Sequence, residues 1–157
     1  MRPVPLAAYN ERVEALKAGK QMPDSALACL PHGTPRIMYT PYPVQILQRP
    51  DLVAFLFEVN HNIRLAYMNE ALPADPDPTY LGSSVGHWEG DTLVVDTIGI
   101  LPQAWLAIDE GIGIPNDGDM HIVERIRMVA PNVIHVDLTI EAPNILSKPW
   151  TTTRIYN

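Results

Sequence analysis

A chain of 157 residues, 46% hydrophobic and 18% charged, has the length and composition of one globular domain around a single core, which excludes a disordered chain. A formal charge of −7, from 11 basic and 18 acidic residues, leaves too few cations to neutralise a phosphate backbone, so nucleic acid is excluded as a partner. No apolar run reaches the roughly 18 residues of a membrane span, and the opening MRPVPLAAYNER lacks the apolar core of a secretory leader, so the chain as written reads as cytoplasmic.

Residues 6–19 place Leu6, Tyr9, Val13 and Leu16 at helical spacing, with Gly19 as a stop, and predict one amphipathic helix. The following stretch MPDSALACLPHGTPRIMYTPYPVQ holds five prolines, which fix φ and remove donors. It predicts an irregular wrap over something apolar, so residues 1–43 are read as helix and wrap. Cys29 is the sole cysteine; it has no disulfide partner in the chain and no ligand spacing for zinc, and reads as a small buried hydrophobe.

From residue 44 to 157 the pattern changes to β-rich runs: VQILQRP, LVAFLFEV, IRLAYMN, SVGHWE, TLVVDTIGI, MHIVERIRMV, NVIHVDLTIE and PWTTTRIY. Turn chemistry separates them. Glu89-Gly90-Asp91-Thr92 suits a tight hairpin, and Asn60, His61, Asn62 and Asn132 tolerate positive φ. Two longer excursions, 70–82 and 101–119, are rim or lid candidates. The spacing predicts a mainly β fold: an antiparallel meander that removes its edges by closing into a small lipocalin-like β-barrel, with the helix and the wrap outside it. Both faces of LVAFLFEV are apolar, as expected if one meets the interior and the helix or wrap covers the other.

Register assigns the polar residues to faces, because a slip of one residue inverts every side chain. With Val129 opposite Val133, residues Met120, Ile122, Ile126 and Met128 share an apolar face that Glu124 alone interrupts, while Arg125 faces Asp137 and His121 faces Glu141 on the reverse. Burial among Ile, Val and Leu disfavours a carboxylate's charge and suits Glu124 to proton transfer; alternatively Glu124 is a structural acid paired with an arginine such as Arg64. Pairing Glu89 with Thr92 puts His87 and Asp96 on one face as diagonal neighbours, an arrangement in which a carboxylate orients an imidazole. In the first hairpin, Val59 opposite Ile63 pairs Glu58 with Arg64 and Phe55 with Tyr67. Trp88 and Trp105 are candidate walls of an aromatic pocket.

Absent are the serine-hydrolase elbow, the Walker loop, the dinucleotide fingerprint and the H-E-x-x-H zinc motif. Asp109, Glu110, Asp117 and Asp119 do not match an EF-hand loop. Neither a metal nor an organic cofactor is therefore expected.

The segments CLPHGTPRIM (29–38), DPDPTYLGSSVGHWEGDTLVVDTIG (75–99), HIVERIR (121–127) and KPWTTTRIY (148–156) together resemble a bacterial family of small, often exported proteins. Its members carry a W-E-G-D-T-L-V-V-D-T motif and a downstream L-H-V-x-E-R-x-R motif. The resemblance sets Trp88, Glu89, Gly90, Asp91, Asp96, His121, Glu124 and Arg125 at motif positions and implies a periplasmic or secreted location if a leader was removed. The chain departs from the family in having Ser83 where many relatives have His, His87 where they have Arg, and Asn116 where a Pro-His-Ser segment is usual.

The residues lead to a cofactor-independent enzyme acting by acid/base chemistry on a small apolar or aromatic molecule: a lyase, dehydratase or isomerase, with formaldehyde-releasing lysis of a lignin-derived aromatic as one member of that set. In this scheme Glu124 is the acid or base, His121 or the His87–Asp96 pair moves the proton, and Arg64 with Tyr67 holds the developing oxyanion. Glu58, Trp88 and Trp105 would line the substrate site. This scheme needs His121 to turn into the cavity. The competing class is a noncatalytic lipocalin-like carrier of an apolar ligand, with Glu124 structurally paired; a third is an assembly protein using a sheet face or edge for a homodimer.

Overall fold

Period-two alternation of apolar side chains decides where the strands run, and all eight predicted runs are strands in the computed structural model, which describes residues 1–20, 29–107 and 113–157. They are β1 (Val44–Gln48), β2 (Leu52–Phe57), β3 (Ile63–Met68), β4 (Ser83–Glu89), β5 (Thr92–Ile98), β8 (His121–Ala130), β9 (Val133–Glu141) and β10 (Trp150–Tyr156). Two short strands, β6 (Trp105–Ala107) and β7 (Gly113–Pro115), form a ribbon of their own within the excursion 101–119. The fold is mainly β, with one amino-terminal helix and an eight-stranded sheet curled into a half-barrel in the order β1-β2-β3-β4-β5-β8-β9-β10. No helix among the described residues is long and apolar enough to cross a membrane.

Neighbouring strands are antiparallel except β3 and β4, which run parallel over Ala66–Met68 and Ser84–Gly86. A parallel junction needs a long crossover. Excursion 70–82 supplies it. The curl leaves β1 and β10 as the two edges of the sheet, so the barrel stays open on that side.

The inner face carries Val53, Phe55 and Phe57 from β2, Ala66 and Met68 from β3, Leu93 and Val95 from β5, Ile126 from β8, and Val136 and Leu138 from β9. Each of these side chains except that of Ala66 contributes about 1.5–3 kcal/mol when fully buried. A second cluster at one end of the sheet joins Ile122 and Ile140 to Ile100, Leu106, Ile114 and Met120 around the β6–β7 ribbon.

The proline-rich wrap closes over the first cluster. A 3-10 turn at Arg36–Tyr39 sinks Ile37 and Met38 into it. Before that turn, Gly33 has φ +75°, and a Cβ there would overlap Ala104 Cβ and stand 2.9 Å from the Tyr80 carbonyl oxygen. Only glycine fits this conformation and this contact. Cys29 is exposed rather than buried, because the chain turns there with φ 57° before the wrap reaches the core.

The helix α1 (Pro3–Lys17) begins earlier than residue 6, with a proline in its first turn, and the chain leaves it through Gly19 at φ 69°. It buries no residue fully. Its Arg12 guanidinium lies 3.8 Å from the centre of the Trp105 ring, so α1 leans on the ribbon end of the molecule instead of covering β2.

Two hairpins keep the predicted register: Glu89 faces Thr92, His121 faces Glu141 and Arg125 faces Asp137. A bulge between Met128 and Ala130 sets Ala130, not Val129, opposite Val133. The β2–β3 hairpin differs. A 3-10 turn occupies Val59–His61, with Asn60 and His61 at positive φ, so Leu56 faces Ile63 and Phe55 faces Arg64. Val59 is outside the ladder, and neither the Glu58–Arg64 pair nor the Phe55–Tyr67 pair forms.

Candidate functional site

Four adjacent strands each place one polar residue on the inner face: Arg64 on β3, Ser84 on β4, Thr97 on β5 and Glu124 on β8. All four are buried. Ser84 faces Thr97 across β4 and β5, and one row further along the sheet Glu124 faces Val95. Arg64 reaches across this floor. Its Nε donates to Ser84 Oγ at 3.1 Å, and its Nη2 donates to Thr97 Oγ1 at 2.6 Å and to Glu124 Oε2. The two hydroxyls are 2.9 Å apart. The Arg64–Glu124 pair is the arrangement in which Glu124 is a paired acid, and the arginine is the one named from the sequence.

The network is incomplete. Arg64 Nη1 and Glu124 Oε1 are buried without a hydrogen-bond partner, as are Tyr39 Oη and Arg154 Nε. Buried polar atoms without partners are rare, and several on one face mark a place where something polar fits. Burial, followed by the negative charge of Glu124, pushes the Tyr39 phenol up to about 12. Tyr156 is likewise pushed up to about 12, chiefly by burial, and its hydroxyl donates to the Met38 carbonyl at 2.5 Å. Both phenols are therefore protonated at neutral pH.

Two cavities approach this face. One of about 700 Å³ opens on the unpaired side of the half-barrel, between the wrap, β1 and β10, and is lined by Met38, Phe55, Ile126, Val136, Arg154 and Tyr156 among others. Another of about 560 Å³ lies where β3 and β4 splay apart beyond their short parallel pairing, with Arg64, Tyr67, Tyr80 and Ser84 in its lining.

The remaining predicted residues, Trp88 excepted, lie on the outer face or away from the sheet. His121 Nε2 is 2.8 Å from Asp96 Oδ1, and its Nδ1 is 3.5 Å from Glu141 Oε2. His121 does not turn into the cavity: it alternates with the buried Ile122, and the bulge in β8 lies at its far end. His87 does not meet Asp96. Its Nε2 is 3.2 Å from Glu89 Oε1, because Asp96 is engaged by His121 from the neighbouring strand. The Arg125 guanidinium donates to Glu89 Oε2 at 2.6 Å and, with His87, holds that carboxyl below the usual range; Asp137 is bonded by Arg127 and Thr153.

Tyr67 stands half exposed on the outer face, Trp88 shares the face of Ser84 and Leu93 but stands half exposed at the end of its strand, and Glu58 is exposed. Arg64 and Tyr67 are three residues apart on one strand, so their side chains leave opposite faces of the sheet, and both border the cavity of about 560 Å³. Trp105 is buried in the ribbon, beneath Arg12. Asn116 holds the ribbon loops, donating to the Leu101 and Ala104 carbonyls at 2.7 and 2.8 Å. Asp117 and Asp119 are exposed, and Asp109 and Glu110 lie outside the described residues. Among the described residues, no group of three His, Cys, Asp or Glu side chains could hold a metal ion.

Sequence reasoning missed Ser84, Thr97, Tyr39, Arg154 and Tyr156. The last two had a signal: in WTTTRIY, alternation puts Trp150, Thr152, Arg154 and Tyr156 on one face, and an arginine there is an anomaly of the same kind as Glu124. Tyr39 had none, since its place depends on how an irregular wrap docks. Compared with models of protein families, with curated proteins and with solved structures, the chain finds no match.

Proposed function

We propose that the half-barrel is a binding module for a small molecule with an apolar or aromatic body, held in the cavity of about 700 Å³ on the open side. The observation that carries this reading is the Arg64–Glu124 pair. The acid best placed for chemistry is committed to Arg64, which also donates to two hydroxyls, and the open side of the half-barrel holds a cavity of ligand size with mostly apolar walls. That is the combination a carrier needs. The resemblance to the bacterial family with the W-E-G-D-T-L-V-V-D-T motif remains part of the proposal and adds no activity to it.

A second reading, cofactor-independent lyase, dehydratase or isomerase chemistry, is favoured by one specific observation: Glu124 Oε1 and Tyr39 Oη are both buried without partners. In that reading Glu124 Oε1 takes a proton from the substrate and the protonated Tyr39 phenol donates one. His121, Asp96 and His87 have no part in it, since they lie on the outer face.

Mass spectrometry separates the two. The protein is incubated with a panel of phenolic and aliphatic hydroxy compounds and desalted. Compounds retained but unchanged support the carrier. Loss of formaldehyde, loss of water or isomerisation by the wild type but not by folded Glu124→Gln replaces it with the enzyme. Neither retention nor turnover of any compound overturns both.

A further inference from the structure

The inner face carries a charge imbalance. Two guanidiniums, Arg64 and Arg154, project from the sheet on this side, and among the described inner-face residues the one carboxylate is Glu124. Glu124 is bonded to Arg64. Arg154 follows a different row of the sheet: it faces Val136, which faces Ile126, which faces Leu93, so its neighbours along the row are apolar. The row of Glu124 is the next one along, running through Leu138 to Thr152.

Three arginines on or beside the strands pair with carboxylates, Arg49 with Asp51, Arg125 with Glu89 and Arg127 with Asp137, while Arg2 donates to the Pro143 carbonyl. Arg154 forms no ion pair among the described residues, and its Nε is buried without a hydrogen-bond partner. Its guanidinium carbon lies 5.7 Å from the centre of the Tyr156 ring, whose hydroxyl is tied to Met38, so the group is braced at the cavity wall. A partly buried cation without a counter-charge is costly, and a guanidinium fork fits a carboxylate by paired charge-assisted hydrogen bonds. The cavity beside it is walled mainly by apolar residues, Met38, Val44, Ile46, Phe55, Ile134 and Val136 among them, with Thr40, Tyr42 and Asn157 also in its lining. A protein of net charge −7 does not attract anions at long range, so any preference for them has to be local.

We infer that this cavity selects an anionic ligand, an aromatic or aliphatic monocarboxylate whose carboxylate meets Arg154 while its body lies against Phe55, Ile126 and Val136. The inference rests on the binding reading above and adds the chemical class of the ligand.

Isothermal titration at neutral pH with naphthoate and with its neutral counterpart naphthalenemethanol tests it, using the wild type, Arg154→Met and Arg154→Lys, with circular dichroism to establish folding. The wild type is expected to bind naphthoate about 10-fold or more tightly than the alcohol, the ratio a charge-assisted hydrogen bond supports. Arg154→Met loses that preference but keeps its affinity for the alcohol, and Arg154→Lys keeps part of the preference. Equal binding of both compounds by the wild type, or a preference that survives in folded Arg154→Met, overturns the assignment of anion selection to Arg154 and leaves the cavity a neutral site. Absence of binding by both compounds overturns the binding reading as well.

Discussion

Arg64 and Glu124 stand 60 residues apart in the chain and meet on the inner face of the half-barrel with side-chain exposures of 1% and 0%. Removing one member leaves the other's charge buried and unpaired, which costs about 3–5 kcal/mol, whereas replacing both with apolar residues removes the desolvation penalty together with the attraction. Arg64→Met and Glu124→Leu are each expected to destabilise by that amount. The double variant is expected to be far more stable than the sum of the two losses. Urea unfolding of all four proteins checks this, and additive losses would mean that the pair does not act as a unit.

The contact between His121 and Asp96 is of a different kind. Both side chains are about one-third exposed on the outer face, where ion pairs contribute about 0–1 kcal/mol. His121→Ala is expected to shift stability within that range and to leave ligand retention by the interior unchanged. A large loss of retention in this variant, with folding intact, would restore His121 to the site.

Gly33→Ala should be severe for a small change. The new Cβ would meet Ala104 and the Tyr80 carbonyl at a backbone angle that favours glycine, separating the wrap from the ribbon end. The expected loss is about 2 kcal/mol or more, read as a lower thermal midpoint. Gly90→Ala is the control. It shares the positive φ but meets no atom within 4 Å, so its loss is expected to be smaller.

Tyr39 and Tyr156, two of six tyrosines, give the fold an alkaline limit. Their phenols ionise at about 12 in the fold, raised from 10.0 by burial. Between these values the unfolded chain releases protons that the folded chain keeps, so stability falls as pH rises from about 10 towards 12. Denaturant midpoints measured across this window are expected to fall, and the double variant Tyr39→Phe/Tyr156→Phe to fall less. Identical slopes in the two proteins would remove these phenols from the effect.

Sequence alone determined the eight sheet strands, because period-two alternation is local and turn residues such as Gly90 and Asn132 have backbone preferences of their own. It also determined that Glu124 interrupts an apolar face and that His121 faces Glu141, since both follow from counting residues along one hairpin. Only the tertiary structure decided the rest. The parallel β3–β4 junction depends on a crossover whose path no periodicity records, and it brings Arg64 beside Ser84 and hence to Thr97 and Glu124. The choice of Asp96's partner, His121 rather than His87, depends on which strand lies beside β5. The place of Tyr39 depends on the docking of a proline-rich wrap. Each is a contact between segments distant in the chain, fixed by the packing of whole faces against one another rather than by any local preference of the residues concerned.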